Sequence, residues 1–353
     1  FIADQVRKCP TRSIDQLTIC GKTPIEMTKF EELGDKIVAG DRRALSRAIT
    51  LVESNREDHR AKALELIRYL KFSGREAMRI GLSGTPGVGK STFIESFGMH
   101  LTSQGLRVAV LAIDPSSKRS GGSILGDKTR MDRLSRESKA FIRPSPSQSH
   151  LGGVARHTRE VVAICEAAGF DIVMIETVGV GQSETFVSHI SDLFILLLAP
   201  ASGDELQGVK RGIMEMADII LVNKSDGDLK QAAMRTCADF AGALRLLRHR
   251  PQDPDGYPKV MNVSAIDKIG LDEVWNSIKE LLEWRHKKEY FKRNRASQAR
   301  FWFEEDVRQG VLTSLSKDEI VSMMDRLAVE VERGKIQPGI AAAEVLRRIS
   351  GED

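Results

Sequence analysis

Residues 78–97 read "MRIGLSGTPGVGKSTFIESF". Alternating apolar residues of strand texture run into "GTPGVGKS", Gly84 to Ser91, and a helix pattern follows. The octapeptide fills every position of G-x-x-x-x-G-K-[ST], and it stands between a strand and a helix as that pattern requires. The chemistry explains the residue types. Gly84, Gly87 and Gly89 let the backbone of Gly84, Thr85, Pro86, Gly87, Val88 and Gly89 wrap round phosphates with its N–H groups pointing inward. Lys90 brings a positive charge to the outer phosphates, Ser91 a hydroxyl for one Mg²⁺ position, and Thr92 lies beside them at the helix start.

Outward from this loop, short apolar runs alternate with helix patterns. The runs are "MRIGLSG", "RVAVLAID", "FDIVMIET", "LFILLLAP", "DIILVNKSD" and "KVMNVSA". They are rich in Val, Ile and Leu and apolar on both faces, as strands of a sheet covered on both sides are. The pattern predicts an α/β, doubly wound, mostly parallel sheet over residues 74–284. Residues 27–73 predict helices, with Gly40-Asp41 as a turn and N-cap; Ala63, Leu64, Ile67 and Leu70 are expected to face inward. Residues 285–353 predict a helical arm. It includes one long helix pattern across "RHKKEYFKRNRASQARFWFEEDVRQG" and a capping box at Ser316–Glu319. That box opens a helix with Ile320, Met323, Met324, Leu327 and Val331 on one face. Residues 1–26 lack periodicity and read as a leader, tag or disordered extension, with Met27 as the native start.

Composition bounds the function. The 353 residues carry 53 Lys and Arg against 49 Asp and Glu, a near balance that argues against a dominant nucleic-acid surface. Cys9, Cys20, Cys165 and Cys237 are scattered, without zinc spacing, which fits a reducing cytoplasm or, in a eukaryote, the mitochondrial matrix. No apolar run approaches the roughly 18 residues of a membrane span.

"NKSD", Asn223 to Asp226, ends the strand "DIILV". The Asp226 carboxylate can accept from both N1–H and the 2-amino group of guanine, a donor pair that adenine lacks, so GTP is the expected ligand and GDP the product. Lys224 can cover the base, and Ser264-Ala265 can place a backbone N–H at the guanine O6. "DIVMIETVG" is expected to sense the γ-phosphate, with Glu176 acting on Mg²⁺ through water or on the attacking water and Gly179 donating its N–H. Val180 follows Gly179 where many regulatory GTPases place a water-orienting Gln, so intrinsic hydrolysis is expected to be slow. Asp114, at a strand's carboxyl end, and Asp127, in a glycine-rich segment, are further metal or catalytic candidates; with Ser91 and Glu176 they complete the expected metal set, and with Lys90 and Glu176 the catalytic one.

The strings "DPSS" (114–117), "GGSILGDKTRM" (121–131), "IRPSP" (142–146), "LGGVA" (151–155), "ETVGVGQSE" (176–184), "GDELQGVKRGI" (203–213) and "NKSD" occur in one order. In this the chain resembles the MeaB/ArgK family of P-loop GTPases, from about residue 30 to the end. The resemblance implies a SIMIBI-class GTPase, homodimeric through the C-terminal arm. It implies a chaperone that gates adenosylcobalamin loading into an acyl-CoA mutase, usually methylmalonyl-CoA mutase, and protects it, with the cobalamin on the partner only. It also implies that Asp204, Glu205, Gln207 and Lys210 form an extra switch loop reporting nucleotide state to that partner, and that Glu176, Asp114 and Asp127 serve Mg²⁺ and hydrolysis. Isobutyryl- and ethylmalonyl-CoA mutase are alternative partners. A nickel chaperone is disfavoured, for the seven His are dispersed and no C-x-x-C exists. A nucleic-acid-binding GTPase would use the patch Arg285, His286, Lys287, Lys288, Lys292, Arg293, Arg295 and Arg300, which otherwise reads as a solvated helix face.

Overall fold

The computed structural model describes residues 29–54, 56–114, 131–146, 151–177, 183–200, 211–246 and 250–350. Among the described residues three helices come first: α1 (Lys29–Val38), α2 (Arg42–Val52) and α3 (Glu57–Leu70). Asp41 caps α2, its Oδ1 accepting from Arg43 N at 2.7 Å and Ala44 N at 2.9 Å. On α3 the inward face is Ala63, Leu66 and Leu70, with Leu64 half exposed. The expected Leu64 thus gives way to Leu66, because the i, i+3, i+7 row faces the core here.

The sheet then alternates with helices: β1 (Met78–Gly84), α4 (Lys90–Ser103), β2 (Val108–Asp114), α5 (Asp132–Arg136), β3 (Ala140–Pro146), α6 (Leu151–Ala167) and β4 (Ile172–Thr177). After these come α7 (Ser183–Ser188), β5 (Leu193–Leu198), α8 (Arg211–Met216), β6 (Ile219–Val222), α9 (Lys230–Arg245), β7 (Lys259–Asn262) and α10 (Leu271–Lys287). The seven strands run in the order β3-β2-β4-β1-β5-β6-β7 and every neighbouring pair is parallel. This is the doubly wound α/β fold, with one strand more than the apolar runs announce. The addition is β3, "AFIRPSP", at the sheet edge, where prolines can sit because one side needs no ladder donor.

β4, β5 and β6 are buried at every residue, so both faces of the sheet are covered. On one face Phe93 and Phe97 of α4 stack at 5.4 Å, and Trp275 of α10 meets Phe97 edge-on at 6.4 Å. α6 packs on β4, and α2 and α3 pack on α6. The long helix expected after residue 285 is broken. α10 stops at Lys287, Glu289 takes φ +59°, and α11 (Tyr290–Ser314) starts anew.

The chain forms two compact units, one through Arg295 and one from Ala296. The second holds the rest of α11, α12 (Asp318–Glu332) and α13 (Pro338–Ser350). Its core is Ile320, Leu327, Ala341 and Val345, with Met323 and Val331 packed against it. Met324 is exposed, unlike the expectation. Nor does Ser316 cap α12: Lys317 takes the N-cap position and no side chain bonds the free N–H groups.

Candidate functional site

In a parallel α/β sheet ligands collect at the carboxyl ends of the strands, beside the strand where the order reverses. Here that strand is β1, between β4 and β5. The loop Thr85–Gly89 joins it to α4. Gly89 is the N-cap of α4 at φ +86° and offers no capping side chain, so the first-turn N–H groups are left for an anion. A Cβ on Gly89 would lie 2.8 Å from Asn223 Nδ2, and one on Gly84 2.4 Å from the Leu197 carbonyl, so both positions require glycine. Val88 is buried beneath the loop, while Pro86 and Gly87 are exposed above it and Thr85 is half-buried. The Lys90 side chain is buried and folds back over the loop, its Nζ donating to the Gly84 carbonyl at 2.6 Å and to Thr85 O at 3.2 Å. Ser91 (half-buried) and Thr92 (exposed) follow in the first turn of α4.

The base-side residues come from the ends of β6 and β7. Asn223 is buried and ties the two loops together. Its Nδ2 donates to Val88 O at 2.9 Å and Gly89 O at 3.4 Å, and its Oδ1 accepts from Ala265 N at 3.2 Å. Lys224 sits at φ +59° and its Nζ donates to Gly87 O at 2.7 Å, so its stem crosses the loop where a base would lie. Asp226 accepts from the buried Ser264 hydroxyl, whose oxygen in turn accepts from Asp267 N at 3.1 Å. The backbone N–H groups of Ser264 and Ala265 are both engaged inside the protein, with Ile269 O at 3.0 Å and with Asn223. The Ala265 N–H, expected to face guanine O6, donates to Asn223 Oδ1 here. Ser96, which no motif singled out, donates to Ala265 O at 2.6 Å and anchors this loop to α4.

On the other flank, Glu176 is buried near the end of β4, level with Leu82 of β1 and Ala112 of β2. Thr177 beside it donates to Ser83 Oγ at 3.0 Å, a buried bond that locks β4 to β1 just before the phosphate loop. Asp114 is the last residue of β2, two beyond Ala112. Its side chain, together with Asp127, Gly179, Asp204, Glu205, Gln207 and Lys210, lies outside the described residues, as do residues 1–26.

Of the basic patch, Arg285 and Arg295 are engaged inside the protein, while His286, Lys287, Lys288, Lys292, Arg293 and Arg300 are exposed. Arg285 is buried, its Nη2 donating at 2.6 Å to both Asp218 Oδ1 and Asp253 Oδ1. The two carboxylates hold its charge on, against the desolvation that burial imposes. Arg295 is likewise taken, with Nε and Nη2 each 2.8 Å from an oxygen of the buried Asp192. Phe291, one of the interleaved aromatics, is buried and stacks on His286 at 3.9 Å. Among the described residues no group of three or more His, Cys, Asp and Glu could hold a metal ion, and no helix is long and apolar enough to cross a membrane.

Comparison with known proteins agrees with this geometry. The family description "Methylmalonyl Co-A mutase-associated GTPase MeaB" matches residues 45–319. A putative GTPase of Caulobacter vibrioides is 48% identical over 90% of this chain and 96% of its own. The Caenorhabditis elegans "Methylmalonic aciduria type A homolog, mitochondrial" is 46% identical over 91% of this chain and 83% of its own. Among solved structures, one titled "LAO/AO transport system kinase" superposes with a TM-score of 0.71 at 33% identity, covering 93% of this chain and all of that one. With the phosphate loop and the guanine loop knitted together as described, the chain is a GTP-hydrolysing enzyme, and it belongs to the MeaB family of methylmalonyl-CoA mutase-associated GTPases.

Proposed function

We propose that this GTPase is a chaperone of a cobalamin-dependent acyl-CoA mutase, with methylmalonyl-CoA mutase the favoured partner. In this reading it gates adenosylcobalamin loading and protects the mutase, and the cobalamin stays on the partner. One observation carries the proposal. The segments 178–182 and 201–210 follow β4 and β5, the two strands that flank β1, and so leave the sheet at the same edge as the phosphate loop. A γ-phosphate bound at Lys90 can thus act on both segments, one carrying Gly179 and the other Asp204, Glu205, Gln207 and Lys210.

Magnesium suits the donors at this edge, which are oxygen groups only: the Ser91 hydroxyl, the Glu176 carboxylate and, at the end of β2, Asp114, with Asp127 in the segment after it. When bound, the ion would offset charge on the phosphate oxygens. Lys90 would release its loop carbonyls to meet the outer phosphates. Glu176, directly or through a water, would orient the attacking water and take its proton. Val180 cannot orient a water as a Gln would, so slow intrinsic turnover awaits the partner.

The second unit supports a homodimer. Phe303, Val307 and Val311 of α11 are exposed at i, i+4, i+8, a row of apolar side chains on one helix face. Sedimentation of Val307→Asp tests this; a variant as dimeric as the parent would remove α11 from the interface.

The decisive experiment is GTP turnover with and without methylmalonyl-CoA mutase, using the parent, Glu176→Gln and Lys210→Ala. Glu176→Gln should lower kcat by a factor on the order of 100 with nucleotide affinity kept. Lys210→Ala should keep intrinsic turnover and lose stimulation. Turnover indifferent to this mutase sends the search to isobutyryl- and ethylmalonyl-CoA mutases. Salt-sensitive capture of nucleic acid that stimulates turnover would instead favour the nucleic-acid alternative.

A further inference from the structure

α7 and α8 follow the two segments that leave the sheet beside the phosphate loop, and both run back to the opposite edge. There each ends on a buried aspartate that an arginine of the C-terminal segment holds. Asp192, after α7, accepts from Arg295, and Arg79 N also donates to it at 2.9 Å. Asp218, after α8, accepts from Arg285 and, at 2.9 Å, from Arg250, while its Oδ2 accepts from Phe194 N at 2.7 Å. Arg285 closes the circuit by donating to the Asp192 carbonyl at 2.8 Å. The helix ends also touch each other, Ser188 Oγ lying 3.5 Å from Met216 Sδ. Between them and the α10–α11 junction lies a cavity of 370 Å³, with Ser188, Met216 and Asp218 on one wall and Arg285, Phe291 and Asn294 on the other.

A packed core transmits a shift only where an element has somewhere to go. The ends of α7 and α8 have such space, and the ion pairs bordering it fix how they return. We infer that Asp192, Asp218, Arg285 and Arg295 are positioning residues for GTP hydrolysis. They set the resting place of α7 and α8, and the cavity is the room these helices use when the γ-phosphate arrives. The inference rests on the GTPase activity alone and needs no particular partner.

Hydrogen–deuterium exchange on the full chain, with GDP and with a non-hydrolysable GTP analogue, tests it. The expected result is a nucleotide-dependent change at residues 183–194, 213–220 and 285–295. Identical exchange at 285–295 in the two states overturns the inference. Asn294→Trp then fills the cavity from its exposed rim and leaves every ion pair in place. It should lower kcat by about fivefold or more while KM and the affinities for both nucleotides stay within about twofold, the signature of an impeded conformational step. An unchanged kcat in a folded Asn294→Trp also overturns the inference. Should that variant not fold, the exchange of the parent chain still decides.

Discussion

Asn223 donates its side-chain amide to the Val88 carbonyl at 2.9 Å, across 135 positions of sequence. This one bond, with the return contact from Ala265 N, makes the phosphate loop and the base loop a single body. Asn223→Ala leaves buried polar groups on both loops unpaired and should cost about 1–3 kcal/mol of stability. Urea denaturation without nucleotide checks the cost. GDP titration should show weakened binding as well, since the bond from Lys224 Nζ to Gly87 O is then left to join the two loops.

Asp226 is held by Ser264 and is the carboxylate assigned to guanine. Asp226→Asn replaces one acceptor by a donor. GTP affinity should fall by a factor of about 100 or more, while xanthosine triphosphate, which presents a carbonyl where guanine has its amino group, should gain. Equal loss for both nucleotides would mean that Asp226 only shapes the loop.

Arg285 is paired with Asp218 and Asp253 far from the nucleotide edge. Arg285→Met leaves Asp218 and Asp253 sharing Arg250 as their remaining partner, so it should destabilise the chain by less than the about 3–5 kcal/mol of a buried charge left with no partner. Adding Arg250→Gln to Arg285→Met removes that remaining partner and should deepen the loss toward the full about 3–5 kcal/mol in a thermal melt.

His157 is buried, with Nδ1 on the Val52 carbonyl and Nε2 without a partner. Burial first, then the charges of Arg156 and Arg60, push its pKa below the ordinary 6.5, against the pull of the Val52 carbonyl. The folded chain keeps this imidazole neutral longer than the unfolded chain does. Its contribution to stability is therefore complete above pH 6.5 and is lost as pH falls toward its folded pKa. His157→Gln should show a shallower loss of stability than the parent between pH 6.5 and about 5, measured by urea denaturation. Parallel pH profiles would show that His157 does not titrate in that window.

Local chemistry made much of this protein legible. The phosphate loop announces itself because its tight backbone needs glycine at set positions and its side-chain groups need a Lys followed by a hydroxyl residue. The buried strands β4, β5 and β6 announce themselves as continuous apolar runs. β3 did not, since its prolines and Arg143 break the apolar texture that an edge strand can do without. Asn223 was legible as part of NKSD, but its bonds to Val88 and Ala265 were not, for they join residues that only the fold brings together.

The sequence by itself determined the nucleotide, the reaction and the buried central strands, because these rest on short motifs and on runs of side chains that act within a few residues. Only the tertiary structure decided that Arg285 and Arg295 are counter-ions to buried aspartates rather than members of a basic surface. It alone placed Asp192 and Asp218 at the far ends of the two helices that follow the phosphate-side segments. The physical reason is range: a side chain's charge is written in the sequence, but its partner and its burial are fixed by residues tens to hundreds of positions away.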